Sequence, residues 1–195
     1  MGKDMNPVIL LHGLYDRARL FRHLAARLAA DGRTAHAFDF VPNNGHARLE
    51  DLARQASDYI DARYPRSQPV DIVGFSMGGI VARYYVQRLG GLERTGHLIT
   101  IGSPNQGTLM AHLVPRNGAR QMRRGSEFIR DLNGDVARLS EIKTASIWTP
   151  YDFMIVPAGS ARLPIGTTHR VDVAAHAWMP GDPRVLELVA KLLSE

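Results

Sequence analysis

The run Pro69-Val70-Asp71-Ile72-Val73-Gly74-Phe75-Ser76-Met77-Gly78-Gly79 decides how this chain folds. Its first half is short, apolar and β-branched, which is the composition of a buried strand. Behind it, Ile80 to Leu89 has helical composition. A strand that becomes a helix within so few residues must turn sharply. A side chain at Gly74 or Gly78 would strike the neighbouring strand or helix, and Gly79 lets the two elements pack closely. The turn lifts the Ser76 hydroxyl clear of the sheet. It also places that hydroxyl at a helix N-terminus, where the dipole favours negative charge.

Outward from this stretch, strands and helices alternate. Val8 to Leu11 is a continuous apolar run ended by His12-Gly13, the pattern of a buried parallel strand. Leu14 to Ala30 carries Leu20, Phe21, Leu24 and Leu28 at helical spacing and closes at Asp31-Gly32. Thr34 to Phe40 reads as a strand. Arg48 to Tyr64 reads as a helix, stopped by Pro65. His97 to Gly102 and Ala145 to Thr149 are further strands, Arg170 to Val173 a last one, and Pro183 to Leu193 the terminal helix. This rhythm predicts an α/β domain over residues 1–195, with a mostly parallel sheet flanked by helices on both faces. The rhythm breaks between residues 103 and 142, which read as a cap-like insertion over the active end of the sheet or as packing at its edge.

At 195 residues one domain is expected. Cysteine is absent, which excludes disulfides and cysteine metal sites. The start is polar, with Lys3 and Asp4, and the apolar run after it is too short for a membrane span. The chain as given therefore reads as cytoplasmic, with secretion left open if an export signal was trimmed. The net charge is +5, and nearly all of the basic residues are arginines. Arg116, Arg120, Arg123 and Arg124 form the one local cluster. It reads as a solvated face, or as steering towards an anionic surface or substrate. Nucleic-acid binding lacks any motif and any interleaved aromatics.

Ligands bind such sheets at the carboxyl ends of the strands, where His12, Ser76 and Ser103 all fall. A serine hydroxyl attacks at neutral pH only if a histidine takes its proton and a carboxylate orients that histidine. Asp152 follows a strand end and is the expected acid. Asp131 and Asp135 lie in the insertion, and Asp172 lies within the predicted last strand. His169 and His176 are the candidate bases, and topology favours His176, between the last strand and the terminal helix. The expected oxyanion donors are the amides of Met77 and Leu14. His12 shapes the loop after the first strand, and His12, Gly13, Leu109, Phe153 and Trp178 are the expected substrate contacts. Met110, Met122 and Met154 are further candidates for the same pocket. No helical H-x-x-x-H or similar grouping points to a metal, and no cofactor is implied.

Three stretches resemble the small bacterial α/β-hydrolase lipases of the triacylglycerol lipase type. They are Val8 to Gly13, Val70 to Gly79, and Asp152-Phe153-Met154-Ile155-Val156-Pro157. In that family the G-x-S-x-G turn carries the nucleophile. The resemblance implies Ser76 as nucleophile, Asp152 as acid and His176 as base. It also implies cleavage of carboxylic esters, with an acyl lipid as the expected substrate, met in some cases at a lipid–water interface. Two features depart from the family: alanine rather than glycine precedes His176, and segment 103–142 is longer than in minimal lipases. Ser103-Pro104-Asn105-Gln106-Gly107-Thr108 resembles the S-P-x-x-G-T stretch of larger lipases, which a cap follows. The competing readings are a small-substrate esterase, thioesterase or amidase, and a non-catalytic binding protein on the same fold.

Overall fold

The computed structural model describes residues 5–195, so the polar start with Lys3 and Asp4 lies outside the described residues. Six strands form one fully parallel sheet: β1 (Val8–Leu11), β2 (Ala35–Ala37), β3 (Val70–Phe75), β4 (Thr95–Ile101), β5 (Lys143–Trp148) and β6 (Thr167–Arg170). Their order across the sheet is β2-β1-β3-β4-β5-β6. Helices α1 (Arg22–Ala30), α2 (Leu49–Asp61), α3 (Met77–Arg88), α4 (Asn117–Gln121), α5 (Glu127–Gly134) and α6 (Pro183–Ser194) complete the fold. Among the described residues no helix is long and apolar enough to cross a membrane.

The apolar strand runs are explained by burial on both faces. Ile9, Leu11, Ile72 and Leu98 pack on one side with residues of α2 and α3. Val8, Leu10, Val73, Phe75, Ile99 and Ile101 pack on the other with residues of α1 and α6. Alternate residues of a strand point to opposite faces, so a strand covered on both faces must be apolar throughout. At roughly 1.5–3 kcal/mol for each fully buried large aliphatic side chain, these two layers dominate the stability of the domain. The chain leaves β1 towards β2 on one side and returns through β3 on the other. The crevice therefore opens between β1 and β3, where Leu11 pairs with Gly74.

Three elements differ from their sequence expectation. The helix expected from Leu14 begins only with a 3-10 turn at Ala18–Phe21, because Tyr15 turns back at φ +64° and its amide donates to Asn43 O. The second strand is three residues long instead of spanning Thr34 to Phe40. Beyond Ala37 the backbone donors go to side chains: Phe40 N–H to His12 Nε2 and Val41 N–H to Gln55 Oε1. The last strand comes earlier, at Thr167–Arg170, so His169 lies within it and Asp172 lies beyond it. Asp172 is paired with Arg170 on the surface.

Candidate active site

Ser76 occupies the corner between β3 and α3 with φ +53° and ψ −123°, a conformation that side-chain-bearing residues rarely adopt. The glycines around it are required by close approach. A Cβ on Gly78 would lie 2.0 Å from Leu11 O, and one on Gly74 would lie 2.5 Å from the Gly79 backbone. The helix that follows thus starts against the end of β1, which brings the loop after β1 beside the serine.

That loop is held by His12, which is fully buried. Its Nε2 accepts the Phe40 amide at 3.0 Å, so its proton is on Nδ1, 2.9 Å from Gly13 O. Burial holds its pKa below the usual histidine value and keeps it neutral. His12 therefore shapes the loop from behind and does not touch the cavity, which corrects its expected substrate contact. Gly13 is packed against the serine: a Cβ there would lie 3.0 Å from Ser76 Cβ and 2.7 Å from Asp16 Oδ2. It too is absent from the cavity wall. Among the described residues the amides of Leu14 and Met77 have no acceptor, which leaves two free donors flanking the serine turn.

His176 and Asp152 arrive from the far side of the sheet. Asp152 is buried in the turn after β5, and His176 opens the 3-10 segment His176–Gly181 before α6. Asp152 Oδ2 lies 2.7 Å from His176 Nδ1. Asp152 Oδ1 accepts the amides of Met154 and Ile155 at 2.9 and 2.8 Å. The carboxylate is fully committed, one oxygen to its own turn and one to the ring. The imidazole packs at 4.8 Å from the ring of Phe75, the residue before the serine. Gly102 makes room for it, since a Cβ there would lie 3.2 Å from Nδ1. The rival base His169 makes only a local contact, Nε2 to Thr167 Oγ1 at 2.9 Å. Asp131 and Asp135 pair with Arg88.

Ser76 and His176 open into one cavity of about 300 Å³, at the small end of the range for small-molecule sites. Its walls are mostly apolar. Met110, Ala111, Val114, Ala119 and Met122 come from the insertion, Leu14 and Phe75 from the sheet end, and Met154 and Ile155 from the acid turn. The insertion is stitched to that turn, because Thr108 Oγ1 donates to Met154 O at 2.8 Å and accepts the Val156 amide at 2.9 Å. Behind it, the buried Arg83 of α3 donates to Asn105 O at 3.1 Å, and to Leu132 O and Asn133 Oδ1, both at 2.9 Å. Among the described residues no carboxylate pairs with this guanidinium, and Asp135 acts on it only at longer range. Burial lowers its pKa to about 10, and it stays charged at neutral pH.

The structure separates the other expected contacts from the cavity. Leu109, Phe153 and Trp178 all point outward, while their sequence neighbours Met110, Met154 and Ala177 line the wall. Of the arginine cluster, Arg116 bonds Tyr15 Oη at 3.1 Å and Arg123 bonds Ala111 O at 3.2 Å, so these two brace the cap. The sequence reading missed Asp16. It lines the cavity beside Ser76 and His176, and burial pushes its carboxyl above the usual value. Its place four residues after His12, in the loop that follows the first strand, was the available signal.

This arrangement resembles known folds over nearly the whole chain. Lipase B of Aspergillus fumigatus superposes with a TM-score of 0.83 at 18% identity, covering 98% of this chain and 53% of that one. The chain thus spans about half the length of that lipase. The mature lipase BlEst2 of Bacillus licheniformis gives a TM-score of 0.80 at 15% identity, covering 97% and 92% of the two chains. An α/β-hydrolase enzyme from a lagoon-sediment metagenome in Morocco gives 0.73 at 18% identity, covering 98% and 91%. The fold is that of the α/β-hydrolases. A sequence profile described as palmitoyl protein thioesterase matches residues 7–159, from the strand before the His12 loop to beyond the acid turn. The chain belongs to the palmitoyl protein thioesterase family.

Proposed function

We propose that the protein is a serine hydrolase that cleaves carboxylic esters carrying an apolar acyl group. One observation carries this reading: a strained serine and a histidine fixed by a committed carboxylate meet in a single, mostly apolar cavity. In the proposed cycle His176 Nε2 takes the Ser76 proton as Oγ attacks the acyl carbon. The amides of Leu14 and Met77 hold the oxyanion. The imidazolium returns its proton to the departing alcohol, leaving an acyl-enzyme. Water, deprotonated by His176, then attacks the acyl carbon and frees the acid and Ser76. Asp152 holds the ring in the tautomer this cycle needs. The insertion supplies the acyl-binding wall.

A second reading is favoured by the family match: the scissile bond is a thioester of the same apolar acyl group. The machinery is the same and the leaving group is a thiol. One experiment addresses both. Acyl p-nitrophenyl esters and matched acyl thioesters of increasing chain length are offered to the wild type and to Ser76→Ala, with fluorophosphonate labelling in parallel. Turnover and labelling that vanish in Ser76→Ala support the serine mechanism, and the ratio of the two substrate series chooses the bond. Turnover that persists in Ser76→Ala would overturn it.

A further inference from the structure

Apart from Met5 ahead of β1, the large apolar side chains exposed among the described residues gather on segments that follow strand ends. Among the described residues, Tyr15, Leu109, Leu113, Phe153, Met154 and Trp178 all stand on segments that follow the carboxyl ends of β1, β4, β5 and β6. Phe153 is 78% exposed, Leu113 72% and Trp178 64%. Tyr15 and Met154 also line the cavity, and Leu113, Phe153 and Trp178 are the outward-facing sequence neighbours of the lining residues Val114, Met154 and Ala177. Exposed apolar clusters of this kind mark interaction surfaces.

Charge lies on the same face. Residues 109–130 carry five arginines and one acidic residue, a net +4 within a chain of net +5. Leu109 shares a groove with Arg124 and Arg130, and among the described residues no carboxylate lines it. Arg116 binds the Tyr15 hydroxyl. Exposed apolar side chains with arginines beside Leu109 and Tyr15, at the end of the domain where the apolar cavity lies, match the acyl and phosphate layers of an anionic membrane surface.

We infer that this end of the protein docks on anionic lipid surfaces, with the exposed apolar residues entering the headgroup layer and the arginines of the cap meeting lipid phosphates. The mouth of the cavity then faces the acyl layer. Docking depends on surface side chains and not on the serine chemistry, so it stands or falls apart from the proposed reaction.

The test uses the full chain carrying Ser76→Ala, so that hydrolysis plays no part, mixed with phosphatidylcholine vesicles that contain or lack phosphatidylglycerol. Co-sedimentation reads binding. In a Trp148→Phe background a blue shift of Trp178 emission reads insertion. Expected are binding to the anionic vesicles with that blue shift, weakening with added salt, and little binding to pure phosphatidylcholine. Leu113→Ser with Phe153→Ser should abolish the blue shift and weaken binding. Arg124→Gln with Arg130→Gln should cut affinity for the anionic vesicles by roughly tenfold or more. Thermal melts of each variant check that it is folded. Absence of binding to anionic vesicles, equal binding to both kinds, or binding insensitive to both pairs of substitutions in folded proteins would overturn the proposal.

Discussion

His176 Nδ1 lies 2.7 Å from Asp152 Oδ2, while Asp152 Oδ1 is taken by the amides of Met154 and Ile155. In Asp152→Asn the oxygen must stay with those two amides, so the new NH2 faces the histidine. The ring must then accept at Nδ1, and its proton moves to Nε2, where the serine needs an acceptor. The expected loss in kcat is about 10⁴-fold, as for the corresponding change in other Ser-His-Asp enzymes. The thermal melt should change little. Turnover within tenfold of wild type in this variant would remove Asp152 from the role given to it.

Ser76 holds φ +53° in a region that costs a residue with a Cβ about 1–3 kcal/mol. Both Ser76→Ala and Ser76→Gly should abolish turnover. Only the glycine releases the strain, and it should melt higher than the alanine variant by roughly 2–4 °C per kcal/mol regained. Equal melting temperatures would show that the corner stores no strain.

Arg83 ties α3, the helix after the serine corner, to the loop after β4 and to α5 through three oxygen acceptors. Arg83→Ala strips Asn133 Oδ1 of its donor and takes one donor each from Leu132 O and Asn105 O, which keep Gln87 Nε2 and Asn133 Nδ2; with the cavity left by a large, fully buried side chain the cost is about 2–5 kcal/mol. A fall in melting temperature on the order of 10 °C is expected, with only partial recovery in Arg83→Lys, whose point-like ammonium cannot span the set. A melt unchanged in Arg83→Ala would show that the cap is held by other contacts.

Asp16 is raised by burial, so it opposes folding once ionised. A carboxyl whose folded pKa exceeds its unfolded one favours the native state fully below the unfolded value, near 3.8, and loses that advantage as pH climbs through the folded value. Asp16→Asn should therefore melt above the wild type at pH 7, and the gap should close on acidification towards pH 4. A gap that widens on acidification would reverse the assignment.

Val114 is half-buried on the cap side of the cavity. Val114→Trp narrows the space for the acyl chain and leaves the catalytic groups in place. The ratio of long-chain to short-chain turnover should fall by roughly tenfold or more. A uniform change across chain lengths would place the acyl group elsewhere.

The corner at Ser76, the parallel strands and the pairing of Asp152 with His176 were legible because each follows from a local constraint: glycine where atoms nearly touch, apolar runs where both faces are covered, polar groups just past strand ends. The errors lie where no period constrains direction. Leu109, Phe153 and Trp178 are as apolar as any pocket residue, yet in irregular segments composition does not say which way a side chain points. In each case an adjacent residue, Met110, Met154 or Ala177, lines the cavity instead. Asp16 was missed because its neighbourhood exists only once β1 and β3 are side by side. Three-residue β2 fell short of its pattern because side chains of His12 and Gln55 took the backbone donors that a ladder would have used.

The parallel order of the strands distributes the reacting groups unevenly. Ser76 leaves β3, enclosed by β1 and β4, whereas the chain reaches His176 only after β6, a short, largely exposed strand paired on one side alone. Edge segments open at lower free energy than central ones. On warming, fraying at this edge is expected to loosen the proton acceptor, held there by Val173 and Met179 in the core, while the oxygen it serves is still in place. Heat should silence this protein before it unfolds it, leaving below the melting point a population with native helices and sheet, an intact serine corner and no turnover, which cooling restores.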